Sequence, residues 1–463
     1  MMKFFDSSIY TERRNKLKKA GLSGIAFFPG NQESPMNYPA NGYHFRQDSS
    51  FLYFFGIDLP GLAAIIDFDE GREIIFGNDV DVEDIIWMGP QPSLKELGSK
   101  VGISDTRPYE ELGKYLNSAK SRYIHFLPPY RPDNKILIHQ MLDIPFGEMK
   151  TKASVALIKA VVALRSVKSA EEIAELETAA IAGYKMHMAA FRMAKAGVME
   201  LEIAGAMEGI AHQYGSCPSF PIILSRRGET LHNHDHSNIL QNGDLLLLDA
   251  GAESLMHYAS DYTRTMPVGG KFSSRQKDIY NIVLNANNKA FSLAKPGVTY
   301  KSIHLESAKV IADGLKSLGL MKGDTDIAVE KGAHALFFPH GLGHMMGLDV
   351  HDMEDLGENH VGYDEETHRS DLFGTAYLRM GRRLQPGHVI TDEPGIYFIP
   401  ALIDQWEREK MHTDYINYDK VREYIGFGGI RLEDDLLITA DGCKLIGERL
   451  PITVEEVESV MNS

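Results

Sequence analysis

The chain has 463 residues, of which 43% are hydrophobic and 24% charged, and its formal net charge is −16 at pH 7. This composition is typical of an ordinary globular protein, and the length suffices for two or three domains. The acidic balance argues against nucleic acid as a partner, because proteins that bind it usually present a basic face.

Cysteine content and the first residues bear on location. Cys217 and Cys443 are the only cysteines and cannot form a disulfide framework, which suits a reducing compartment. The opening residues "MMKFFDSSIYTERRNKLKKAG" contain no apolar run of signal-peptide length, and no stretch reaches the roughly 20 apolar residues that span a bilayer. We therefore expect a cytoplasmic protein with no membrane partner.

Residues 1–160 predict a smaller α/β domain. The segments "GIAFFPG" and "GLAAIIDFDEGREIIFG" are typical of buried strands, the second with a glycine-containing hairpin turn. The segments "LKELGSKVG" and "YEELGKYLNSAK" predict short helices. Nothing in this domain resembles a nucleotide-binding loop.

Residues 165–463 predict an α+β domain in which helices pack on a mainly antiparallel sheet. After a boundary near Leu164, Ser169 stands three residues before Glu172, the spacing of a capping box, and an apolar helical period continues to Gly197. A second long helix is predicted around "TYKSIHLESAKVIADGLKSLGL", between two strand-rich blocks.

A weak internal repeat lies within this second domain. The segment "NGDLLLLDAG" (242–251) aligns without gaps with "PGHVITDEPG" (386–395). Each has a turn glycine, an apolar strand, and then an acid followed two residues later by glycine, so that Asp249 and Glu393 occupy the same place. Two such strands suit duplicated half-domains whose acids converge on one centre.

Four acids lie in apolar strand contexts: Asp249, Asp261, Glu393 and Glu433. An ionised carboxylate inside a sheet costs several kcal/mol unless it is paired or binds a metal. Four carboxylates and one imidazole would serve two divalent ions about 3.5–4 Å apart. Ligands that are mostly oxygen favour a harder ion, such as manganese, over a structural zinc.

Each acid also has a structural interpretation. Asp249 could begin an Asp-Ala-Gly turn, and Glu433 could form an ion pair with Arg431 on the same strand face. We expect Asp434 and Asp435 to be solvated or structural. The four acids taken together nevertheless favour the metal site over four independent structural roles.

The histidine-rich segment "HGLGHMMGLDVH" (340–351) cannot be the usual H-E-x-x-H zinc helix. No glutamate follows His340, and the glycines of the segment make a poor helix interior. Taken singly, His340, His344 and His351 could each be structural. A second group of histidines recurs at every other residue: His232, His234 and His236. That period indicates one exposed strand or loop with at most one functional histidine.

Other catalytic motifs find little support in the sequence. There is no G-x-S-x-G elbow, Walker loop or paired C-x-x-C. By contrast, "LLLLDAG…SDYTRT", "FFPHGLGHMMGLDVHD", "TDEPGIYF" and "GIRLEDD" together resemble the proline-specific metallopeptidases of the pita-bread fold, the Xaa-Pro aminopeptidases and prolidases. The segment "YHFRQDSSFLYFFG" (43–56) resembles their N-terminal domain. Methionine aminopeptidases share the metal pattern but are not expected to carry that domain.

The resemblance implies a pita-bread catalytic domain over residues 165–463, with two divalent ions, Mn²⁺ or alternatively Co²⁺ or Zn²⁺. It implies five metal ligands: Asp249, Asp261, His344, Glu393 and Glu433. It places substrate-orienting and supporting residues at four further positions: His232, His340, His351 and Arg431. One departure concerns the eleven residues between Asp249 and Asp261, where ten are expected. The extra residue needs a bulge if the alternation of side chains is to be kept.

The implied activity is removal of the N-terminal residue from peptides with proline in second position, by attack of a metal-bridging water. In this scheme Glu393 moves the water's proton, and His232 or His351 donates to the developing oxyanion. The alternatives are an Xaa-Pro dipeptidase and, less favoured because all five ligands are present, a non-catalytic peptide-binding protein. We also expect a homo-oligomer, a dimer or a tetramer.

Arg379 bears on the choice between aminopeptidase and dipeptidase. It lies fourteen residues before Glu393, close to where prolidases place an arginine for the substrate's terminal carboxylate. The other interpretation is a surface arginine in a basic cluster with Arg382 and Arg383.

Overall fold

The computed structural model describes residues 2–463, which divide into two compact units. The first unit runs to Arg165 and also includes Met353–His360, and the second comprises Ser166–Asp352 and Val361–Ser463. Within residues 2–463, no helix has the length and apolar character needed to cross a membrane.

The first unit contains a five-stranded mixed sheet in the order β4-β3-β2-β1-β5. Its strands are β1 (Ile25–Pro29), β2 (Ala63–Asp67), β3 (Glu73–Phe76), β4 (Asp105–Arg107) and β5 (Ile124–His125). Its α-helices are α1 (Ser7–Lys18), α2 (Ser49–Phe55), α3 (Val82–Met88), α4 (Leu94–Lys100), α5 (Glu111–Ser118), α6 (Pro132–Leu142), α7 (Met149–Lys152) and α8 (Val155–Ser166, whose last residue opens the second unit). The predicted strands, the antiparallel β2–β3 hairpin and the two short helices α4 and α5 are all confirmed.

The second unit carries the remaining elements. Its strands are β6 (Ile223–Ser225), β7 (Leu245–Ala250), β8 (Tyr262–Pro267), β9 (Val389–Asp392), β10 (Gly395–Tyr397), β11 (Gly429–Arg431), β12 (Asp434–Ile438) and β13 (Cys443–Leu445). Its helices are α9 (Ala170–Met193), α10 (Glu200–Tyr214), α11 (Ser274–Leu293), α12 (Tyr300–Ser317), α13 (Thr325–Glu330), α14 (Glu358–Val361, which begins in the 353–360 segment), α15 (Pro400–Arg408), α16 (Tyr418–Arg422) and α17 (Val454–Met461).

Two similar halves make up this second unit. The first half has the sheet β6-β7-β8 and the paired helices α9 and α10, and the second has the sheet β13-β12-β9 and the paired helices α11 and α12. Asp249 lies near the end of β7, and Glu393 directly follows β9. Both acids of the internal repeat therefore stand at the carboxyl-terminal end of a strand, β7 at the centre of its sheet and β9 at the edge of its sheet.

Helix α9 begins as its sequence predicts but ends earlier. The Ser169 side chain accepts from the backbone N–H of Glu172, and the Glu172 carboxylate accepts from the N–H of Ser169, so the capping box is present. The helix ends at Met193 instead of continuing to Gly197. At that point the chain turns away because the Gly197 N–H donates to the carbonyl of Leu240, a distant residue.

The β7–β8 hairpin absorbs its extra residue at the tip. The N–H of Ser254 donates to the carbonyl of Tyr258, which leaves a loop of three residues whose last member, His257, has φ = 65°. A three-residue hairpin loop that ends in a left-handed residue is the arrangement of a turn followed by a bulge. The expected bulge is therefore present, and Asp261 keeps its place beside Asp249.

Candidate metal centre

Five side chains from separate elements of the second unit converge at one place. Asp249 belongs to β7, Asp261 precedes β8, Glu393 follows β9, Glu433 lies between β11 and β12, and His344 belongs to an irregular segment before β9. Such positions place chemistry at strand ends and in loops held by a rigid scaffold. All five were the predicted metal ligands.

Interatomic distances within this group are those of side chains that could share ions. His344 Nε2 lies 3.5 Å from Asp261 Oδ2 and 3.7 Å from Glu393 Oε1. Asp261, His344 and Glu433 each offer a ligand atom, and these atoms lie within 4.8 Å of one another. Among residues 2–463, three buried carboxylate oxygens of the group have no hydrogen-bond partner: Asp249 Oδ1, Asp261 Oδ1 and Glu433 Oε1.

His344 is oriented by hydrogen bonds to its surroundings. Its Nδ1–H donates to the Met345 carbonyl at 3.0 Å, so that Nε2 presents its lone pair to the carboxylates. Its backbone N–H donates to Thr391 Oγ1, and its carbonyl accepts from the Thr391 N–H. A backbone bond on one ring nitrogen is how proteins usually fix a metal-binding histidine.

Electrostatics show that the carboxylate cluster needs positive charge or protons. Burial, followed by the charges of Glu433 and Asp249, raises the pKa of Asp261 well above its usual value. Burial, followed by Glu393 and Asp249, does the same to the pKa of Glu433. Burial also raises the pKa of Glu393 to about 7. Divalent cations would supply the missing charge and would bind the oxygens that have no hydrogen-bond partner, so the residues fit a two-metal site.

Arg431 forms an ion pair with Asp249, the first of the proposed ligands along the chain. Its Nη2 donates to Asp249 Oδ2 at 2.5 Å, Nη1 donates to Tyr397 Oη at 2.8 Å, and Nε donates to Thr263 Oγ1 at 3.1 Å. The pairing of Arg431 with Glu433, considered above as an alternative, is therefore wrong. Arg431 is 3% exposed, so its hydrogen bonds fix both the ligand and the tyrosine without help from water.

Tyr397 extends this hydrogen-bonded chain to His340. Its hydroxyl lies 2.8 Å from His340 Nε2, and His340 Nδ1–H donates to the Gly341 carbonyl. Burial, followed by the charge of Arg431, lowers the pKa of His340 to about 3. His340 is therefore a neutral imidazole whose Nε2 accepts from Tyr397, and Nδ1 lies 3.9 Å from Glu393 Oε2.

The remaining predicted site residues lie around the same centre. The half-buried ring of His351 stands edge-on to the ring of His344, with centroids 4.4 Å apart. His232 is exposed at the edge of the site, where partial burial and the charge of Arg431 lower its pKa. Arg379 is half-buried, and its positive charge acts to lower the pKa of Glu393.

The profiles of two known protein families match this chain. The profile of metallopeptidase family M24 matches residues 174–440, more than half of the chain. The chain belongs to metallopeptidase family M24. The profile of the aminopeptidase P N-terminal domain matches residues 10–125.

The relatives of this M24 chain are named after two activities, Xaa-Pro dipeptidase and Xaa-Pro aminopeptidase. It is 30% identical to the Xaa-Pro dipeptidase of Homo sapiens over 461 residues, which cover 97% of this chain and 90% of the relative. It is 35% identical to a probable Xaa-Pro aminopeptidase of Fusarium vanettenii over 422 residues, 90% of this chain and 87% of the relative. The structure of Pseudomonas aeruginosa aminopeptidase PepP matches with a TM-score of 0.81 at 28% identity, over 100% of this chain and 99% of the other. These findings confirm the pita-bread fold with its accompanying N-terminal domain, and they confirm a peptidase.

Three residues of the M24 site were not singled out from the sequence: Thr263, Thr391 and Tyr397. Thr263 Oγ1 donates to Glu433 Oε2 at 2.7 Å, so it connects that ligand to Arg431. A period of two along the strand would have indicated Thr263, because it lies two residues after Asp261 on the same face. Local patterns carry no comparable signal for Tyr397, whose partners come from distant segments.

The structure also places four other residues that the sequence analysis considered: Asp434, Asp435, His234 and His236. Asp434 and Asp435 are structural and not solvated, because both are buried: Asp434 pairs with Arg264 at 2.7 Å, and Asp435 accepts from the Asp261 N–H at 3.0 Å. Of the alternating histidines, His234 is exposed and His236 Nδ1 donates to the Leu224 carbonyl.

Proposed function

We propose that this metallopeptidase is an Xaa-Pro aminopeptidase whose two divalent ions are held by the five converging ligands. The grouping of three buried carboxylates and the half-buried Glu393 around His344, with three oxygens unpartnered, is the observation that carries this proposal. A non-catalytic peptide-binding protein would have no reason to keep this costly cluster of buried acids.

The proposed ligands are Asp249, Asp261, His344, Glu393 and Glu433, and the proposed ion is Mn²⁺, with Co²⁺ or Zn²⁺ as alternatives, because oxygen atoms dominate the donor set. When bound, the ions supply Lewis acidity and a water of lowered pKa. The surrounding chain supplies the geometry, since Thr263, Thr391 and Arg431 each hydrogen-bond to a proposed ligand.

Proton transfer is assigned to Glu393. Its carboxylate Oε1 lies 3.7 Å from His344 Nε2, so a water held at this centre would lie within reach of a carboxylate that can take its proton and release it again. We propose that Glu393 takes the proton of the attacking water and passes it to the proline nitrogen, a poor leaving group until it is protonated. An Xaa-Pro bond has no amide N–H and a fixed φ, so the substrate must be recognised in other ways.

Histidines at the site are assigned to substrate orientation. His351 and His232 are the proposed donors to the carbonyl oxygen as negative charge develops on it. His340 has a different task, because both ring nitrogens are engaged by the Gly341 carbonyl and the Tyr397 hydroxyl. Neutral His340 therefore supports the chain Asp249–Arg431–Tyr397 and shapes the wall of the site next to Glu393.

A dipeptidase is the second candidate, and Arg379 is the observation that favours it. The charge of Arg379 acts on Glu393, so the guanidinium lies within electrostatic reach of the reacting bond. A guanidinium at that place could pair with the carboxylate of a proline that ends the substrate. This contact would favour dipeptides over longer peptides, which place an amide there.

Substrate length and metal dependence are tested together. Chelated protein should be inactive on Gly-Pro and Gly-Pro-Xaa peptides, and added Mn²⁺ or Co²⁺ should restore activity. Glu433→Ala should lose activity by orders of magnitude while staying folded. Full activity in metal-free protein would exclude the two-metal proposal.

Arg379→Ala separates the two peptidase activities. If Arg379 binds the terminal carboxylate, its loss should cost roughly 2–5 kcal/mol on Gly-Pro, at least about thirtyfold in kcat/KM, and little on Gly-Pro-Xaa. Arg383→Ala is the matched control, since Arg383 is exposed and paired with Glu366. A uniform or negligible effect of Arg379→Ala would leave aminopeptidase as the better description.

We also propose that the chain forms a homo-oligomer, a dimer or a tetramer, in the cytoplasm. Helix α3 supports the first point because none of its side chains is buried: Val82 is 73% exposed, Ile86 73% and Trp87 80%. Apolar surface of this kind is typical of a protein contact. A content of only two cysteines, Cys217 and Cys443, supports a reducing compartment. Sedimentation of the purified protein tests the oligomer.

A further inference from the structure

A buried ion pair lies beside the histidine-rich segment and has no part in the chemistry described above. Lys168 Nζ donates to Asp352 Oδ2 at 2.8 Å, and each side chain is 1% exposed. Two charges so completely removed from water pay a large desolvation penalty, and an apolar pair of similar size is often at least as stable. The pair therefore needs an explanation other than stability alone.

Each partner is fixed next to the site through its backbone. The N–H of Lys168 donates to the carbonyl of Gly387, two residues before β9 begins, and β9 leads to Glu393. The N–H of Asp352 donates to the carbonyl of Met345 at 2.9 Å. This second bond closes the loop formed by residues 345–352, which connects His344 to His351.

The 345–352 loop lies directly on the ion pair. A Cβ atom added to Gly347 would come within 2.6 Å of Asp352 Oδ2 and within 2.9 Å of Lys168 Cε. The N–H of Asp349 also points to Asp352 Oδ1 at 3.4 Å. The carboxylate of Asp352 therefore contacts the loop from its inner side, and the ring of the preceding residue, His351, stands against the ring of His344.

The neighbouring His388 adds no charge to the pair, because burial, followed by the charges of Arg382 and Lys168, lowers its pKa to about 3. The pair also stands where the chain changes unit, since Lys168 comes shortly after the boundary at Ser166, and Asp352 is the last residue before Met353. One contact thus joins the two ends of the stretch 166–352, which carries three of the five proposed ligands: Asp249, Asp261 and His344.

We propose that Lys168 and Asp352 are positioning residues of the active site: their buried ion pair holds His351 against His344 and thereby sets the turnover rate. The proposal rests on the peptidase function proposed above for its kinetic readout. It predicts effects on kcat, because His351 is assigned to the developing negative charge, and not on metal content or KM.

The kinetic test compares Lys168→Met, Asp352→Leu and the double variant, each loaded with Mn²⁺. The single variants should lose about 10–100-fold in kcat on Gly-Pro-Xaa, with metal content and KM within about twofold of wild type. The double variant should regain the thermal midpoint, because no stranded charge remains, while kcat stays low. Recovery of kcat together with the thermal midpoint would show a purely structural pair and overturn the proposal.

Asp67→Asn is the matched control. Asp67 is a fully buried carboxylate that pairs with Arg122 at 2.5 Å, so this variant disturbs the ion pair of a buried carboxylate that belongs to the first unit, whereas the 345–352 loop belongs to the second. It should lower the thermal midpoint without changing kcat. A loss of kcat equal to that of Asp352→Leu would mean that any buried ion pair has this effect, which again contradicts a positioning role.

A second readout does not depend on peptidase activity. Zinc-loaded protein labelled with ¹³C at histidine Cε1 gives one signal per ring, and His351→Gln identifies that of His351. The His351 signal should move or broaden in Lys168→Met and in the double variant, and stay unchanged in Asp67→Asn. An unchanged signal in Lys168→Met overturns the proposal. If the wild type fails to cleave Xaa-Pro peptides, the proposed function fails while this measurement still decides the positioning role.

Discussion

Replacement of Gly343 by alanine should disable the metal centre without touching any of its ligands. A Cβ atom at this position would lie 2.2 Å from the Thr391 carbonyl oxygen and 2.8 Å from both Thr391 Oγ1 and Tyr300 Oη. Ordinary contacts of such atoms begin near 3.4 Å, so the Thr391 carbonyl must retreat by more than about 1 Å. The obstacle is the backbone of strand β9, which its sheet holds in place, so it can move only a little.

The cost follows from what Thr391 holds. Its N–H and Oγ1 form the two hydrogen bonds to the backbone of His344, and its carbonyl accepts from Tyr300 Oη at 2.5 Å. Overpacking of this kind costs about 1–3 kcal/mol, and each lost hydrogen bond adds about 1 kcal/mol. With one of these bonds lost, we expect a loss of about 2–4 kcal/mol in stability. A misplacement of His344 by about 1 Å should lower kcat by about 100-fold.

The assay measures bound metal, thermal midpoint and kcat on Gly-Pro-Xaa for Gly343→Ala and for a control, Gly205→Ala. Gly205 lies within α10, where an added Cβ meets nothing within 4 Å, so alanine there should stabilise the protein by up to about 1 kcal/mol and leave kcat unchanged. Wild-type metal content and kcat in Gly343→Ala would refute the close-approach argument.

Further predictions concern the surrounding side chains. Tyr397→Phe removes the acceptor of Arg431 Nη1 inside the protein, which costs about 1–3 kcal/mol. We therefore expect kcat to fall about 10–100-fold while the metals are retained. An unchanged kcat would contradict this. His344→Ala should lose metal, whereas His351→Ala should keep it and turn over more slowly, and equal metal loss in both would exclude their different assignments. Burial lowers the pKa of His334 to about 4, below the unfolded value of about 6.5, so the unfolded state binds the proton first and stability falls as pH drops below 6.5. We would measure the free energy of unfolding of His334→Phe and of wild type in denaturant. The difference between the two should shift by about 1 kcal/mol in favour of the variant when the pH falls from 7.5 to 5.5. An equal difference at both pH values would show this to be wrong.

Local features of the fold could be read from the sequence because their causes are local. The capping box of Ser169 and Glu172 sets the start of α9, and the apolar run that ends in Asp249 forms β7. The gapless match between residues 242–251 and 386–395 predicted corresponding strands, and it also placed Asp249 and Glu393 at corresponding ends. The order of the acidic and histidine motifs was enough to indicate the family.

Tertiary structure decided which of these groups meet and in what state of charge. The ion pair of Arg431 with Asp249 spans 182 positions and replaces the local pairing with Glu433 that the sequence allowed. Lys168 and Asp352 are 184 positions apart, and no periodicity marks either as buried. Likewise, α9 ends at Met193 because a distant carbonyl takes the Gly197 N–H. Side-chain patterns record which face a residue occupies, whereas hydrogen bonds and ion pairs depend on distances between segments, which arise only when the chain has folded.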